Sequence, residues 1–429
     1  MSTPTARAIA LEAVRRVTDE GAYSNRVIPG LLASSGLDVR DRAFAADLAY
    51  GTLRRLIPID RALDACASRP VARMSPAVRA VVRLGAFQLL FGGVAPYAAV
   101  AETVELATPK ERGFANAVLR RVAADPPPPA AGEDDAAIGA RVGLQRWAVT
   151  ELRRLLGDDE VERAAEGFAA PGPLSLRANT CVVGVGDLES ALRAQGRDPR
   201  RSSVDPDGLL LRGGEPTTFP GFERGWFAVQ DEASMFVVRT LDPQPGDRVL
   251  DGCAAPGGKA LFASCLAGER GLVVASDVSP GRLGLIGAQA RRLGSRVSLL
   301  VQDATSPAVR GPFDRILVDA PCSGIGSARR RPELLWRGSK DRLATLARKQ
   351  VAIAAAVADL LEPGGRLVYS VCTFPRAETD AAVSAILRHR PDLRQVATDG
   401  PDGPAPTHRL WPHRHGTDGM FVAVFERLG

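Results

Sequence analysis

Apolar residues recur at helical spacing from the start of the chain. Ala6, Ile9, Ala10, Ala13, Val14 and Val17 fall on one face of a 3.6-residue period. The same spacing predicts helices over 42–56, 76–91, 98–107 and 112–124, and no run alternates at period two. Residues 1–125 are therefore expected to be all-helical. Four consecutive prolines, Pro126–Pro129, followed by AAGEDDAA, predict a stiff turn into a polar linker over 126–139. Beyond it, 140–225 combines helical patterns at Trp147–Leu156 and Glu160–Ala169 with the strand-like run PLSLRANT, which predicts a small α+β subdomain.

From residue 226 onward the texture changes. DRVLDGCAAPGG leads into the helical KALFASCLAG, and GLVVASDVSP leads into GRLGLIGAQARRLG. VSLLVQDAT, FDRILVDAPC and GRLVYSVCTF follow, with helical stretches at Arg342–Leu361 and near Glu378–Arg388. Short apolar runs alternating with helices predict an α/β domain over 226–429, its mostly parallel sheet covered on both faces. Asp418-Gly419 reads as a turn into a last strand, MFVAVFE.

Composition adds bounds. A chain of 429 residues is too long for one typical core, so the chain is expected to be multidomain. Residues 1–125 carry 17 Lys/Arg against 12 Asp/Glu, and the whole chain has a formal charge of +6, which suits a polyanionic partner. Six scattered cysteines without a CxxC pair, and four histidines without metal-ligand spacing, predict no zinc site. The same thiols fit a reducing cytoplasm better than a disulfide scaffold. The N-terminus has no continuous apolar stretch of the signal-peptide kind. Leu84–Ala101 is uncharged for 18 residues, but Gly85, Gln88, Gly92, Gly93 and Pro96 break it as two buried helices would be broken, so no membrane span is expected.

The first strand of the α/β domain ends in Asp251 and opens on GCAAPGGK. Gly257 and Gly258 allow the backbone to approach a ligand, and the next helix offers unsatisfied N–H groups. Asp277, 20 residues past Gly257, has the spacing of an acid that holds ribose hydroxyls. Asp303 ends the third strand and could accept from an adenine amino group. G-x-G-x-x-G is absent, and Lys259 is followed by Ala260, so neither a dinucleotide fingerprint nor a P-loop is present. Three acids at three consecutive strand ends point to a nucleoside with little phosphate, S-adenosyl-L-methionine.

Cys322 follows the fourth strand and Cys372 the fifth, so both thiols are expected to face one crevice. A buried cysteine is ordinarily a small hydrophobe. Two at strand ends beside a cofactor loop suit C5 methylation of cytosine, because C5 becomes nucleophilic only after something adds to C6. A thiolate can add and later leave. Asp319, in DAPC, is placed to bind or protonate N3, and a second thiol could aid loss of the C5 proton or release. The residues alone do not rank the two thiols.

DGCAAPGGK, DAPCSG and YSVCT, in this order, resemble the Sun (Fmu) family of RNA cytosine-C5 methyltransferases, as do FAVQDEAS, RRRPELLW and DGMFVAVFE. The N-terminal RAFAADLAYGTLRR, VRLGAFQLLF and FANAVLRRV resemble a NusB-type RNA-binding domain. The resemblance spans nearly the whole chain. It implies an all-α NusB-like domain, a small α+β RNA-recognition-like subdomain and a C-terminal Rossmann-like methyltransferase. It also implies that Cys253, Ala254, Ala255, Pro256, Gly257, Gly258, Lys259, Asp277, Arg282, Asp303 and Asp319 contact the cofactor or the target base. Cys372 is then the nucleophile and Cys322 the thiol that aids release. The family usually has Thr before the second cysteine, where this chain has Val371.

The pairing of domains implies small-subunit ribosomal RNA as substrate and a monomer in the cytoplasm. A flipped-out cytidine costs a few kcal/mol to extract. Arg329, Arg330, Arg331, Trp336 and Arg337, just beyond Cys322, form a basic stretch with a stacking aromatic that could offset this. Arg120 and Arg121 could extend the track. His408, His413 and His415 read as loop polarity. Two other readings stay open: the same chemistry on transfer RNA, and an inert RNA-binding factor.

Overall fold

A computed structural model describes residues 4–429. The chain divides into two compact units, one of residues up to Ala170 together with Ala328–Gly338, the other of Pro171–Ser327 and Ser339–Gly429.

The first unit is helical: α1 (Ala6–Asp19), α2 (Ser24–Ala33), α3 (Val39–Arg54), α4 (Leu56–Cys66), α5 (Pro76–Leu90), α6 (Pro96–Val104), α7 (Arg112–Ala124), α8 (Asp135–Val142), α9 (Arg146–Leu156) and α10 (Asp158–Ala169). Side-chain caps set several starts. Thr5 accepts from the Ala8 N–H, Asp38 from Asp41, and Ser75 from Val78 just before Pro76, satisfying donors that a helix N-terminus leaves open. Val14, Leu48, Leu53, Ile59, Val81, Leu84 and Leu119 lie in the core. A Cβ at Gly51 would sit 2.1 Å from the Phe87 ring, so only glycine lets α3 and α5 pack there. Leu84–Ala101 is divided between α5 and α6, and no helix of the described residues is long and apolar enough to cross a membrane.

Two boundaries differ from the sequence expectation. The expected linker 126–139 contains the start of α8, which Asp134 caps by accepting from Ala136 and Ala137. Helices α9 and α10, read together with 140–225, group with the helical unit.

The second unit holds two sheets. Strands β1 (Leu174–Ala178), β2 (Arg200–Arg201), β3 (Gly208–Leu211) and β4 (Phe227–Val229) form an antiparallel sheet in the order β2-β3-β1-β4, with α11 (Val185–Ala194) between β1 and β2. After α12 (Glu232–Leu241) come β5 (Arg248–Asp251), α13 (Gly258–Ala267), β6 (Leu272–Asp277), α14 (Pro280–Leu293), β7 (Ser298–Val301) and β8 (Phe313–Asp319). The chain continues through α15 (Leu334–Arg337), which groups with the helical unit, then α16 (Leu343–Ala358), β9 (Leu361–Val371), α17 (Asp380–His389), β10 (Leu393–Gln395), β11 (Thr407–Leu410), α18 (Pro412–His415) and β12 (Met420–Arg427).

The order β10-β12-β9-β8-β5-β6-β7 keeps β5 to β9 parallel, while β12 runs antiparallel to β9. The first strand, β5, has β6 on one side and β8 on the other. The strand order therefore reverses between β5 and β8, and such a sheet binds ligands beyond the carboxyl ends there. Cys181, in the loop after β1, is disulfide-bonded to Cys265 of α13. That pairing is not legible in the sequence, since spacing alone does not show which cysteines meet.

Candidate active site

At the carboxyl end of β5 the chain turns through 252–257 and enters α13. Gly257 has φ +111°, and a Cβ there would meet Ile286 at 3.0 Å, so the turn requires glycine. Asp277, at the end of β6, braces this turn by accepting from the Ala255 N–H at 3.3 Å and the Ser279 N–H at 3.0 Å. Arg282 donates to the Ala255 carbonyl at 2.6 Å and pairs with Asp277 at 3.3 Å. Ala254 and Ala255 are buried, and burial, followed by the charge of Asp251, pushes the Cys253 thiol up. Asp303 lies past β7, where bonds from the Thr305 N–H and hydroxyl hold its carboxyl below the usual range.

Asp251 supplies the test of whether a ligand fits here. Its Oδ1 accepts from the Cys253 N–H, while Oδ2 is buried with no hydrogen-bond partner. Burial, with the Asp319 charge second, pushes its carboxyl up to about 7. A buried acceptor left unmet costs about 1–3 kcal/mol, and a ligand donor would remove that cost. The acids at the ends of β5 and β6, the glycine turn and the open α13 start suit S-adenosylmethionine.

On the other side of the switch point, Asp319 ends β8. It accepts from Lys259 Nζ at 2.7 Å and from Ser370 Oγ at 2.8 Å. Burial pushes the Lys259 ammonium down, but Asp319, with Cys372 and Asp251, more than offsets it and the net shift is up. The loop after β8 brings Cys322 Sγ to 3.4 Å from Cys372 Sγ, just past β9. That loop docks backbone to backbone: the Gly326 N–H donates to the Cys372 carbonyl, and the Gly419 N–H to the Gly326 carbonyl, both at 2.9 Å. A Cβ on Gly326 would stand 2.1 Å from the Gly419 oxygen. Val371 is fully buried.

Behind the sulfurs lies a polar network that the sequence did not single out. Glu378 is fully buried and accepts from the Ser323 N–H and Gln350 Nε2, both at 2.9 Å, and from the Ser323 hydroxyl at 2.5 Å. Tyr369 donates to Gln350 and to the Glu378 carbonyl. Ser370, Gln350 and Glu378 carry no sequence signal of their own, because Glu378 reads as an acid at a helix start.

The structure places the cofactor-loop residues, Asp277, Arg282, Asp319 and both cysteines in the second unit, at or beside the carboxyl ends of its parallel strands. The Arg329–Arg337 stretch groups with the helical unit. Trp336 packs on the helical core and donates to the Leu53 carbonyl at 2.9 Å. Arg337 donates to the carbonyls of Gly21, Ala22 and Val17, and Arg54 donates to the Arg329 carbonyl at 2.7 Å. Arg331 lies over the Tyr23 ring at 5.5 Å. The expected stacking aromatic thus serves as an anchor within the helical unit. His408 is buried in β11, bonded to Thr398 rather than exposed in a loop, and no His/Cys/Asp/Glu cluster among the described residues could hold a metal.

Residues 238–426 match the 16S rRNA methyltransferase RsmB/F family, and residues 4–124 match the NusB family. The chain is 32% identical to the ribosomal RNA small subunit methyltransferase B of Citrobacter koseri over 99% of both chains. It is 33% identical to the protein of that name from Salmonella arizonae over 97% of both. The crystal structure of PH0851 is similar over the whole of both chains, with a TM-score of 0.86 at 25% identity. A methyltransferase homolog protein from Pyrococcus horikoshii aligns with 70% of this chain and all of its own, with a TM-score of 0.61 at 28% identity. A helical NusB-type domain followed by this methyltransferase fold, with relatives matched end to end, places the chain in the 16S rRNA methyltransferase RsmB/F family, whose cofactor is S-adenosyl-L-methionine.

Proposed function

We propose that this protein methylates C5 of a cytidine in 16S ribosomal RNA through a transient covalent bond between Cys372 and C6 of the base. The observation that carries this reading is the pair of sulfurs 3.4 Å apart at the ends of adjacent strands, beside a carboxylate held by lysine. A methyltransferase acting on an exocyclic amino group needs no thiol nucleophile.

Cys253–Lys259, Asp251, Asp277, Arg282 and Asp303 would hold the cofactor, which supplies an electrophilic methyl group on a sulfonium. Asp319 accepts a hydrogen bond from the protonated N3 of the flipped base, and that charge on the ring favours addition at C6. The Cys372 thiolate forms the S–C6 bond, and the electron pair displaced from the C5=C6 bond makes C5 nucleophilic. C5 would take the methyl group as the methyl–sulfur bond breaks, its electron pair staying on the sulfur of the released thioether. A base then removes the C5 proton, the C5=C6 bond re-forms, and the S–C6 bond breaks to return the thiolate. Cys322 assists this release. Lys259 keeps Asp319 oriented and adds positive charge near the Cys372 sulfur.

Bisulfite sequencing of ribosomal and transfer RNA, from cells with and without the gene, tests the reading. One cytidine of 16S rRNA is expected to lose its 5-methyl signal in the deletion. A change confined to transfer RNA would move the substrate, and no change in either would leave an RNA-binding role.

A further inference from the structure

The cysteine loops are joined by more than their sulfurs. Ser323 follows Cys322 and Thr373 follows Cys372, and their hydroxyls meet at 2.7 Å. Both also donate to one fully buried carboxylate: Glu378 Oε2 accepts from Ser323 Oγ at 2.5 Å and from Thr373 Oγ1 at 3.3 Å, while Oε1 takes the Ser323 N–H. Gln350 from α16 satisfies the remaining side and is itself held by Tyr369. A buried charge is costly, and packed apolar groups would hold two loops at least as well. The carboxylate therefore has a purpose beyond folding.

We propose that Glu378 is a positioning residue that locks the two sulfur-bearing loops into one register through Ser323 and Thr373. Its charge has a second consequence. The hydrogen bond that Cys322 donates to Cys372, then burial, then the charges of Cys372, Glu378 and Asp319 push the Cys322 thiol up. The titratable groups facing this pair are Asp319 from β8, Tyr369 from β9 and Lys259 from α13, and Lys259 is the cation that interacts with Cys372. Glu378 thus adds to the contacts that hold Cys322 as the S–H partner of Cys372. When the Cys372 sulfur becomes a thioether, its hydrogen bond and charge no longer act on Cys322, which can then exchange a proton at release. This use rests on the covalent reading above, but the register itself does not.

The test needs no RNA, so it stands apart from the methylation reading. Iodoacetamide labelling of the full chain across pH, read peptide by peptide, gives one midpoint for Cys322 and another for Cys372. In Glu378→Gln the Cys322 midpoint is expected to fall, so that Cys322 labels faster at fixed pH. Diamide-induced linking of Cys322 to Cys372 reports register, and is expected to slow about tenfold in a Ser323→Ala/Thr373→Val variant that keeps the charge. An unmoved Cys322 profile in a folded Glu378→Gln protein would overturn the proposal, as would wild-type linking in the double variant. Should Glu378→Gln not fold, the double variant decides alone.

Discussion

Lys259 and Asp319 meet at 2.7 Å and tie the start of α13, which carries the cofactor turn, to the end of β8, which carries the base-binding acid. Lys259 is the more enclosed partner and Asp319 the more open. Removing the lysine leaves a partly buried carboxylate with only the Ser370 hydroxyl. Lys259→Met is therefore expected to lose about 1–3 kcal/mol of stability in urea unfolding, as for other orphaned charged groups. The Lys259→Met/Asp319→Asn double variant is expected to recover part of that loss. Strictly additive losses would show that the two side chains do not depend on each other.

Placing the nucleophile at Cys372 makes the two thiols experimentally distinct. Cys372→Ala is expected to abolish methyl transfer from labelled cofactor to 16S rRNA while leaving cofactor affinity within about twofold, because the sulfur acts on the base. Cys322→Ala is expected to accumulate a protein–RNA adduct visible on denaturing gels, because addition proceeds and release slows. An adduct that forms with Cys372→Ala and not with Cys322→Ala would exchange the two roles.

The parallel core was legible because strands buried on both faces must be runs of Val, Leu and Ile, as in RVLD, LVVASD and ILVD. The acids and thiols at the strand ends were legible for a related reason: polar residues closing such runs have no packing use. Glu378 was not, since an acid six residues past Cys372 looks like any helix-start acid, and its partners Gln350 and Ser323 lie 28 and 55 residues away. Sequence gives a residue's chemistry before its partner, and RRRPELLW shows the difference. Its aromatic and cations suit RNA equally well, but Arg337 meets carbonyls 315 and 316 residues away. Helices α2 and α4 went unread; α2 carries an internal proline, Pro29, and α4 has Pro58 in its first turn.

That placement of Trp336 has its own consequence. Its indole N–H satisfies the Leu53 carbonyl and its ring packs on the helical core. Trp336→Ala removes both, and is expected to destabilise the helical unit by about 3 kcal/mol, the lower end for a tryptophan truncated in a packed site. Thermal melting followed by far-UV circular dichroism measures it. A variant that melts like wild type yet binds RNA more weakly would return Trp336 to the RNA track.

Asp251 makes the stability of the ligand-free protein depend on pH. Burial raises its carboxyl to about 7, against roughly 4 in an unfolded chain. Between those midpoints the folded state holds a proton that the unfolded state has lost. This group's stabilising contribution is therefore complete below about pH 4, declines as pH rises, and is gone above about pH 7. Asp251→Asn keeps the shape without the titration. Its unfolding free energy, taken relative to wild type, is expected to improve from pH 5 to pH 8 by a few kcal/mol, each pH unit between the midpoints being worth about 1.4 kcal/mol. Saturating S-adenosylmethionine is expected to flatten the wild-type slope, because a hydrogen bond donated to the unmet Oδ2 favours the ionised form. Parallel pH curves for variant and wild type would remove Asp251 as the titrating group, and a slope that the ligand leaves untouched would remove it from the cofactor site.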